Sequence, residues 1–379
     1  MIRKLLKLFF QSKFYFDLKN ADVLIYDYSS SGFLKDIIKK NKYQFFFSRL
    51  ERFNAKIFFS TLLKSGSSNF GNNYFFNFIK ATKPKIIISL WSINKCLYDV
   101  KRLFPHIKVI IIQGHNFDVD IFKRFKKFPK NSFDFFFVYN KFERSKLGKI
   151  FEKKKIHSIG SLKNNLFSRN PLIKKKKFIY LSSYKINNVF PYNDTKFMLY
   201  LDKFCLTNNL KFDIQTRYSK ITNKYARFIE SLNFKTLDTI LVKNDHSTSY
   251  KNMCKYKFVA SSASTLANEA LASGKRVALL ASFSNFSNRE YFLKNNIEKK
   301  FKFGFELKAK AKAKSGFFWS GKMSEKEALR ILDNVVYSNN QKWKIELRKI
   351  KNLMLYDYYN KVFFKKMKKI NFPIKERFN

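Results

Sequence analysis

The segment Lys257–Leu280 has the residue types that an anion-binding turn needs. A buried strand is predicted to end at about Ser261, and a turn rich in small residues follows it. A short helix is predicted over Thr265–Ser273, and Gly274 suits the left-handed backbone that ends a helix. A second buried strand is predicted from Arg276. This order indicates an anion site at the helix start, because free amides and the helix dipole favour negative charge there.

Two polar side chains of that predicted helix share one face. Thr265 and Glu269 are four residues apart, so they are neighbours on the helix surface. Thr265, with the amides that follow Ser264, is predicted to bind a diphosphate, and Glu269 is predicted to accept hydrogen bonds from ribose hydroxyls. The alternative interpretation is that Ser264 is only a helix N-cap and Glu269 only a solvated helix residue.

A general base is predicted in the loop that follows the apolar run Val109–Ile112. Histidine titrates in the range that proton abstraction from a hydroxyl requires. His115 is therefore the candidate catalytic residue, with Asp118 as its substitute, and Gly114 is expected on the acceptor side. Alternatively, His115 makes only a structural hydrogen bond in its loop.

Other loops after predicted strands carry further candidates. Ser29 and Ser30 lie in the turn Asp27–Gly32 and are predicted to line the acceptor side, although such turns are also ordinary connections. Arg217 follows the predicted strand Phe212–Gln215 and could neutralise phosphate. Among 77 basic residues, however, any single one is more often a surface residue.

Short apolar runs alternate with segments of helical length along the chain. Uniformly apolar strands separated by helices predict parallel sheets that are covered on both faces. The strands predicted in the first half are Ala21–Tyr26, Gln44–Phe47, Lys56–Ser60, Lys85–Leu90, Val109–Ile112, Asp134–Tyr139 and Lys155–Ile159. Those predicted in the second half are Phe178–Ser182, Phe212–Gln215, Lys257–Ser261 and Arg276–Leu280. The predicted helices include Asn94–Phe104, Asp194–Asn208 and much of Ser324–Lys366.

The polar and basic segment Asn164–Lys177 interrupts this rhythm and is predicted to be a linker. We expect an α/β fold of two Rossmann-like, doubly wound domains with a cleft between them. Their predicted bounds are 1–166 and 174–340, and residues 341–379 are expected to form C-terminal helices that cross back onto the first domain. Ligands of such sheets bind at the carboxyl ends of the strands.

The composition limits the classes of protein that fit. A length of 379 residues suits two domains, and 45% hydrophobic residues can form sizeable cores. The net charge of +50 suggests an anionic partner, but the excess of Lys, Phe, Ile, Asn and Tyr is also what an AT-rich genome produces. Basic side chains would in either case attract the protein to an anionic inner-membrane surface.

Several expectations concern compartment and metals. No apolar run is long enough to span a membrane, and the short basic start lacks a cleavage site, so we expect a cytoplasmic protein. The three cysteines are far apart and predict neither a disulfide framework nor a zinc site. Asp118-Val119-Asp120 matches a metal-binding Asp-x-Asp motif only in its letters.

The segment Ser264–Lys275 resembles the donor-binding element of GT-B glycosyltransferases and of the related UDP-N-acetylglucosamine 2-epimerases. More closely, the chain resembles bacterial proteins of O-antigen and surface carbohydrate biosynthesis over roughly residues 20–345. The features that support this likeness, in order, are Pro84–Leu90, Phe104-Pro105, Lys108–Gly114, Asp134–Val138, Ile159-Gly160-Ser161, Lys163-Asn164-Asn165, Tyr180–Ser183, Ser264–Lys275 and Gly316–Trp319.

The resemblance implies a GT-B fold, a nucleotide-sugar donor as substrate, no cofactor and no obligatory metal. It places the acceptor on the first domain and the donor on the second. Ser182 and Ser183 occupy positions that offer a hydroxyl and amides to the diphosphate in such proteins, although serines are also common in plain turns. The implied activity is sugar transfer to a lipid-linked or polysaccharide acceptor in lipopolysaccharide synthesis, at the cytoplasmic face of the inner membrane.

Two departures leave the donor open: relatives often carry Asp-Ser-Thr or glycines in the turn where this chain has Ala-Ser-Thr, and the run Lys308–Lys314 is more repetitive than usual. A nucleotide-sugar epimerase or a polyol-phosphate transferase would share the same fold. A basic nucleic-acid-binding protein is a further alternative. The charge is spread along the chain, however, and no nucleic-acid-binding motif is present, so no nucleic acid is expected as a partner.

Overall fold

A computed structural model describes residues 13–49, 51–65, 69–90, 94–115, 117, 119–168, 175–182, 192–217, 219–262, 264–280, 315–350 and 355–376. The chain divides into two compact units. The first unit comprises Met1–Val138, Glu143–Ile159 and Lys361–Asn379, and the second comprises Tyr139–Phe142 and Gly160–Asn360. The C-terminal segment from Lys361 thus belongs to the first unit.

The first unit contains a six-stranded parallel sheet whose middle strands are short and almost wholly apolar. Its strands are β2 (Val23–Tyr26), β3 (Tyr43–Phe46), β5 (Ile86–Ser89), β6 (Lys108–Ile112), β7 (Phe135–Val138) and β8 (Ile156–Ser158), in the order β3-β2-β5-β6-β7-β8. Two further strands, β1 (Lys13–Tyr15) and β4 (Arg52–Asn54), pair in parallel as a separate ribbon. Burial on both faces explains the unbroken apolar sequence of the middle strands.

The helices of the first unit are α1 (Tyr28–Ser31), α2 (Ala55–Ser65), α3 (Phe70–Thr82), α4 (Lys95–Leu103), α5 (Val119–Phe125), α6 (Lys141–Leu147) and α14 (Lys361–Lys368). Short 3-10 turns lie at Gly32–Asp36 and Lys153–Lys155. Residues 141 and 142 of α6 are grouped with the second unit. The core between the sheet and these helices is rich in aromatic rings, among them Tyr98, Phe125, Phe133 and Phe151.

The second unit also contains a six-stranded parallel sheet. Its strands are β9 (Lys175–Leu181), β10 (Phe212–Gln215), β11 (Leu237–Leu241), β12 (Tyr256–Ser261), β13 (Arg276–Leu280) and β14 (Trp319–Ser320), in the order β11-β10-β9-β12-β13-β14. Its helices are α7 (Leu162–Phe167), α8 (Tyr192–Thr207), α9 (Asn223–Ser231), α10 (Thr248–Cys254), α11 (Thr265–Ala272), α12 (Glu325–Tyr337) and α13 (Asn340–Ile350). Both units are Rossmann-like, as predicted.

One predicted strand is wrong. Lys56–Ser60 lies inside α2, where Ile57, Phe58 and Thr61 are buried and Phe59 is exposed. This spacing fits a helix of 3.6 residues per turn, and a short apolar run does not distinguish the two structures. The Asn54 side chain also accepts a hydrogen bond from the Ile57 amide at 3.2 Å, which favours a helix start.

The predicted linker is shorter than expected. Asn164 and Asn165 are buried in α7, and Lys175 already begins β9, so both ends of the segment Asn164–Lys177 belong to regular elements. Residues 169–174 lie outside the described part of the chain. The sequence also missed β11, a half-exposed edge strand that lacks the apolar run of a buried one.

Candidate functional site

The second sheet brings two of the predicted phosphate-binding loops side by side. Its first strand, β9, pairs with β10 on one side and with β12 on the other, so the chain builds outward from β9 in both directions. Ligands of open α/β sheets bind at such a reversal, outside the carboxyl ends of the strands. Ser182 follows β9 at this edge, and Ser262 and Ser264 follow β12. Ser183, also a predicted site residue, lies outside the described residues.

A buried carboxylate that the sequence analysis missed connects these loops. Asp194, in the first turn of α8, accepts hydrogen bonds from the Tyr180 hydroxyl at 2.8 Å and from the Ser182 hydroxyl at 3.1 Å. The hydroxyl of Ser262 donates to the same carboxylate. Asp194 is the first residue of the predicted helix Asp194–Asn208, and an acidic residue at a helix start is the signal that could have identified it.

Backbone and side-chain hydrogen bonds fix the start of α11. The Ser261 hydroxyl donates to the Leu181 carbonyl at 2.9 Å and accepts from the Ser264 amide at 3.1 Å. Ser264 is the N-cap of the helix, with its hydroxyl accepting from the Leu266 amide at 3.3 Å. Thr265 is partly exposed at the first helical position. The end of β9 and the start of α11 are thereby fixed to one another.

The predicted end of α11 is confirmed. The helix ends at Ala272, and Gly274 has a φ of 84°, the left-handed conformation that the glycine suits. The side of this helix that carries Ala267, Ala270 and Leu271 is buried.

Glu269 is not a solvated helix residue, so that alternative interpretation is wrong. Its residue exposure is only 3%, and it forms hydrogen bonds with the Ser161 and Tyr250 side chains. Burial raises the pKa of Glu269 to about 6, although those two hydrogen bonds oppose the shift. The Asn164 amide group also donates to the Glu269 main-chain carbonyl at 2.8 Å. Glu269 is therefore a buried carboxylate held by hydroxyl donors.

The sequence did not predict a role for Ser161 or Tyr250. Ser161 caps α7 and follows Gly160, whose φ is 75°. A Cβ atom at Gly160 would lie 2.0 Å from the Leu355 carbonyl oxygen, so only glycine fits there. The motif Ile159-Gly160-Ser161 is one of the features of the resemblance. The contacts at Glu269, however, bring together α7, α10 and α11, which are distant in sequence.

Two cationic side chains lie at the carboxyl edge of the same sheet. Arg217 is exposed two residues after β10, and Lys243 is half-buried two residues after β11. Burial is the main cause that lowers the pKa of Lys243, and the nearby charge of Arg217 lowers it further. Such a pair of like charges would be relieved by an anion.

In the first unit, the loop with the predicted base lies beside other strand ends. His115 is half-buried, with its ring 5.8 Å from that of Phe117, and its carbonyl accepts from the Gln113 side chain at 2.9 Å. A Cβ atom at Gly114 would lie 2.7 Å from the Leu90 carbonyl oxygen, so this loop packs against the end of β5. Asp118 lies outside the described residues.

The predicted acceptor-side loop surrounds a buried aspartate. Asp27 has a φ of 61° and accepts hydrogen bonds from Ser30, from Ser48 at 3.0 Å and from Arg49 at 3.3 Å. Ser29 is exposed in α1. The Ser31 hydroxyl accepts from the Leu90 amide at 3.0 Å. The loops after β2, β5 and β6 therefore meet at one edge, where Ser30 and His115 both lie.

The described residues contain neither a candidate metal centre nor a membrane-spanning helix. Within that part of the chain, no group of three or more His, Cys, Asp or Glu side chains could hold a metal ion. None of the helices described above is both long enough and apolar enough to cross a bilayer.

Comparison with known proteins supports the predicted resemblance. Residues 189–371 match a family model described as a putative O-antigen biosynthesis protein. No curated protein sequence matches the chain. The predicted likeness to proteins of O-antigen and surface carbohydrate biosynthesis is thus confirmed.

Solved structures of low sequence identity share the fold. A putative UDP-N-acetylglucosamine 2-epimerase from Listeria monocytogenes has a TM-score of 0.54 at 9% identity, covering 94% of this chain and 97% of its own. MnaA of S. aureus, solved with UDP, has a TM-score of 0.53 at 10% identity, with 93% and 96% covered. The wall teichoic acid polymerase TagF, in a structure with CDPG, has a TM-score of 0.51 at 10% identity, with 93% and 90% covered. The chain has the GT-B fold.

Proposed function

We propose that this protein is a glycosyltransferase that moves a sugar from a nucleotide-sugar donor to a lipid-linked or polysaccharide acceptor in surface polysaccharide synthesis. The observation that carries the proposal is the reversal point of the second sheet. There, the hydroxyls after β9 and β12 lie beside the N-terminus of α11, and the buried Glu269 belongs to the same helix. The matched O-antigen family model supports the biological setting.

The donor roles follow from the chemistry of this edge. Ser182, Ser264 and Thr265 with the first amides of α11 would bind the diphosphate, because a helix N-terminus favours anions. Glu269 would accept hydrogen bonds from ribose hydroxyls, since an ionised carboxylate has lone pairs beyond those used by Ser161 and Tyr250. Arg217 would add positive charge near the phosphates.

The transfer step would be a single displacement. The acceptor hydroxyl oxygen bonds to the anomeric carbon while the bond from that carbon to the diphosphate oxygen breaks. The hydroxyl proton passes to the His115 imidazole, or to Asp118 as the substitute base. The helix N-terminus and basic side chains would stabilise the leaving diphosphate. On this proposal, no metal ion is obligatory. We place the reaction in the cytoplasm, with the protein peripheral to the anionic inner membrane.

A thermal-shift panel of UDP, GDP, CDP and TDP tests the donor site. The solved structures with UDP and CDPG make UDP and CDP the first nucleotides to try. A nucleotide at a hundredfold excess over its Kd should stabilise the protein by about 2.7 kcal/mol. Glu269→Ala should abolish the shift, whereas Glu230→Ala, at an exposed glutamate of α9, should preserve it. If duplex DNA alone shifts the melting temperature, a nucleic-acid-binding function replaces this proposal.

A nucleotide-sugar 2-epimerase is the second candidate, favoured by the name of one of the similar structures, a putative UDP-N-acetylglucosamine 2-epimerase. The two activities differ in their need for an acceptor. A sugar whose configuration at carbon 2 changes in the nucleotide-bound pool, with no acceptor added, indicates an epimerase. Release of a nucleoside diphosphate that depends on a membrane-extracted acceptor supports the transferase.

A further inference from the structure

The first unit exposes three large apolar side chains on adjoining elements. Phe16 is 67% exposed, Phe59 is 47% exposed and Leu63 is 86% exposed. A single exposed apolar residue is ordinary, but a grouped set indicates an interaction surface. These three residues are called the apolar patch below.

The contacts around the apolar patch show that it is one surface. Phe59 and Leu63 are four residues apart on α2 and so lie on the same face. The Phe14 ring stacks on the Phe59 ring, with centroids 6.4 Å apart and an interplanar angle of 15°. Asn54 joins the start of α2 to the Phe16 carbonyl through a 3.2 Å hydrogen bond. The segment with Phe16 and the exposed face of α2 are therefore held beside each other.

Exposed basic side chains occur on the same segments as the apolar patch. Residues 13–20 and 51–65 contain five basic and two acidic side chains. The basic ones, all exposed, are Lys13, Lys19, Arg52, Lys56 and Lys64, and the acidic ones are Asp17 and Glu51. Exposed aromatic and leucine side chains flanked by lysines match the chemistry of an anionic bilayer, where apolar groups enter the acyl boundary and lysines meet lipid phosphates.

We propose that the apolar patch docks on an anionic phospholipid surface, with Phe59 and Leu63 entering the headgroup region and Lys56 and Lys64 contacting lipid phosphates. This inference rests on the proposed function in one respect: a lipid-linked acceptor would require the protein to reach a bilayer. It concerns residues of the first unit only, whereas the proposed donor loops belong to the second, so binding to lipid can be tested without any transfer reaction.

Vesicle co-sedimentation of the full chain tests the proposal. The wild-type protein should bind vesicles that contain phosphatidylglycerol and bind those of phosphatidylcholine alone much more weakly. Leu63→Glu should weaken binding by roughly tenfold or more, because it removes an apolar side chain that would enter the headgroup region and adds repulsion from the lipid phosphates. The pair Lys56→Gln and Lys64→Gln should weaken it by about fivefold per charge and reduce its salt dependence. Leu206→Glu, at a leucine of α8 that is 59% exposed, is the matched control and should bind like wild type.

Two outcomes would overturn the docking surface. One is that Leu63→Glu and wild type bind phosphatidylglycerol vesicles equally. The other is that Leu63→Glu converts a dimer to a monomer in size-exclusion chromatography without changing vesicle binding, which would make the patch a contact between copies. The nucleotide shift should be the same in Leu63→Glu as in wild type. If no nucleotide shifts the wild-type protein while vesicles still bind, the sugar-transfer proposal fails and this one stands.

Discussion

Each sheet has a buried aspartate at its carboxyl edge, but the two aspartates have different partners. Asp194 in the second unit is surrounded by the hydroxyls of Tyr180, Ser182 and Ser262. Asp27 in the first unit accepts from Ser30 and Ser48 and also pairs with Arg49, a side chain that is 46% exposed.

The difference indicates two kinds of site. The network around Asp194 consists of side chains that are themselves buried, so its geometry is fixed before any ligand arrives. Asp27 is held partly by a long, half-exposed side chain and lies in left-handed backbone. A fixed edge suits a constant group such as a nucleotide diphosphate. An edge with a movable cation suits a more variable acceptor.

Removing the two aspartates should produce the largest contrast. Asp194→Ala removes the carboxylate that three buried hydroxyls share and should lower the free energy of unfolding by roughly 3 kcal/mol, since each weakened or unsatisfied buried group costs about 1–3 kcal/mol. Asp27→Asn keeps a residue that tolerates left-handed backbone and should cost about 1 kcal/mol. Urea unfolding of both variants measures the two effects.

Equal losses in these two variants would contradict the contrast between a fixed and an adaptable edge. The conservative variant Asp194→Asn is the matched control for Asp27→Asn, because both changes keep the side-chain size. It should still cost more than Asp27→Asn, since a single amide oxygen is a poorer acceptor for three hydroxyl donors than a carboxylate.

In the second unit, the sequence predicted the part of the candidate site that lies in one continuous segment and missed the residues that come from other segments. The strand, cap and terminal glycine around Ser261–Gly274 follow from local rules, because every residue that decides them lies within one short segment. Asp194 could not be predicted in its role, because it meets Ser262 only after β9 and β12 pair. The contacts of Ser161 and Tyr250 with Glu269 could not be predicted either, because these residues belong to separate elements that meet only in the folded chain.

In the first unit, the residues at the carboxyl edge of the sheet were predicted less completely than its strands. Apolar runs identified the buried strands, but Ser48 and Arg49 follow a short strand and reach Asp27 only through the pairing of β2 with β3. The apolar run of α2 predicts a strand, because the run is short and its helical period is visible only when the burial of each side chain is known.

Removing the charge of Glu269 should change how the stability of the protein depends on pH. The carboxyl has an ordinary pKa of 4.5 and about 6 in the folded protein, so the folded state favours the protonated form. The stability that this group contributes is fully present below pH 4.5 and is lost as the pH rises through 6. Glu269→Gln should therefore be more stable than wild type at pH 7.5 by up to about 2 kcal/mol, at about 1.4 kcal/mol per pKa unit.

Denaturant unfolding of both proteins from pH 4.5 to 7.5 measures this difference directly. The stability advantage of Glu269→Gln should grow with pH, and Glu230→Gln, at an exposed position, should show no such trend. A constant difference across this range would contradict the raised pKa. The same variant should also bind nucleotide more weakly, since ribose hydroxyls would lose a charged acceptor.

The smallest expected effect tests whether the cationic end of the second edge, at Arg217 and Lys243, takes part in donor binding. Arg217 is exposed, so Arg217→Ala should leave the free energy of unfolding nearly unchanged. If its charge faces the donor phosphates, the variant should bind the nucleotide about fivefold more weakly, and the loss should shrink as salt is added because exposed charges are screened. Arg227→Ala, at an exposed arginine of α9, is the matched control and should bind like wild type. Equal affinities for the two variants would exclude Arg217 from the diphosphate site. The second edge would then differ more sharply from the first, whose buried aspartate is paired with an arginine.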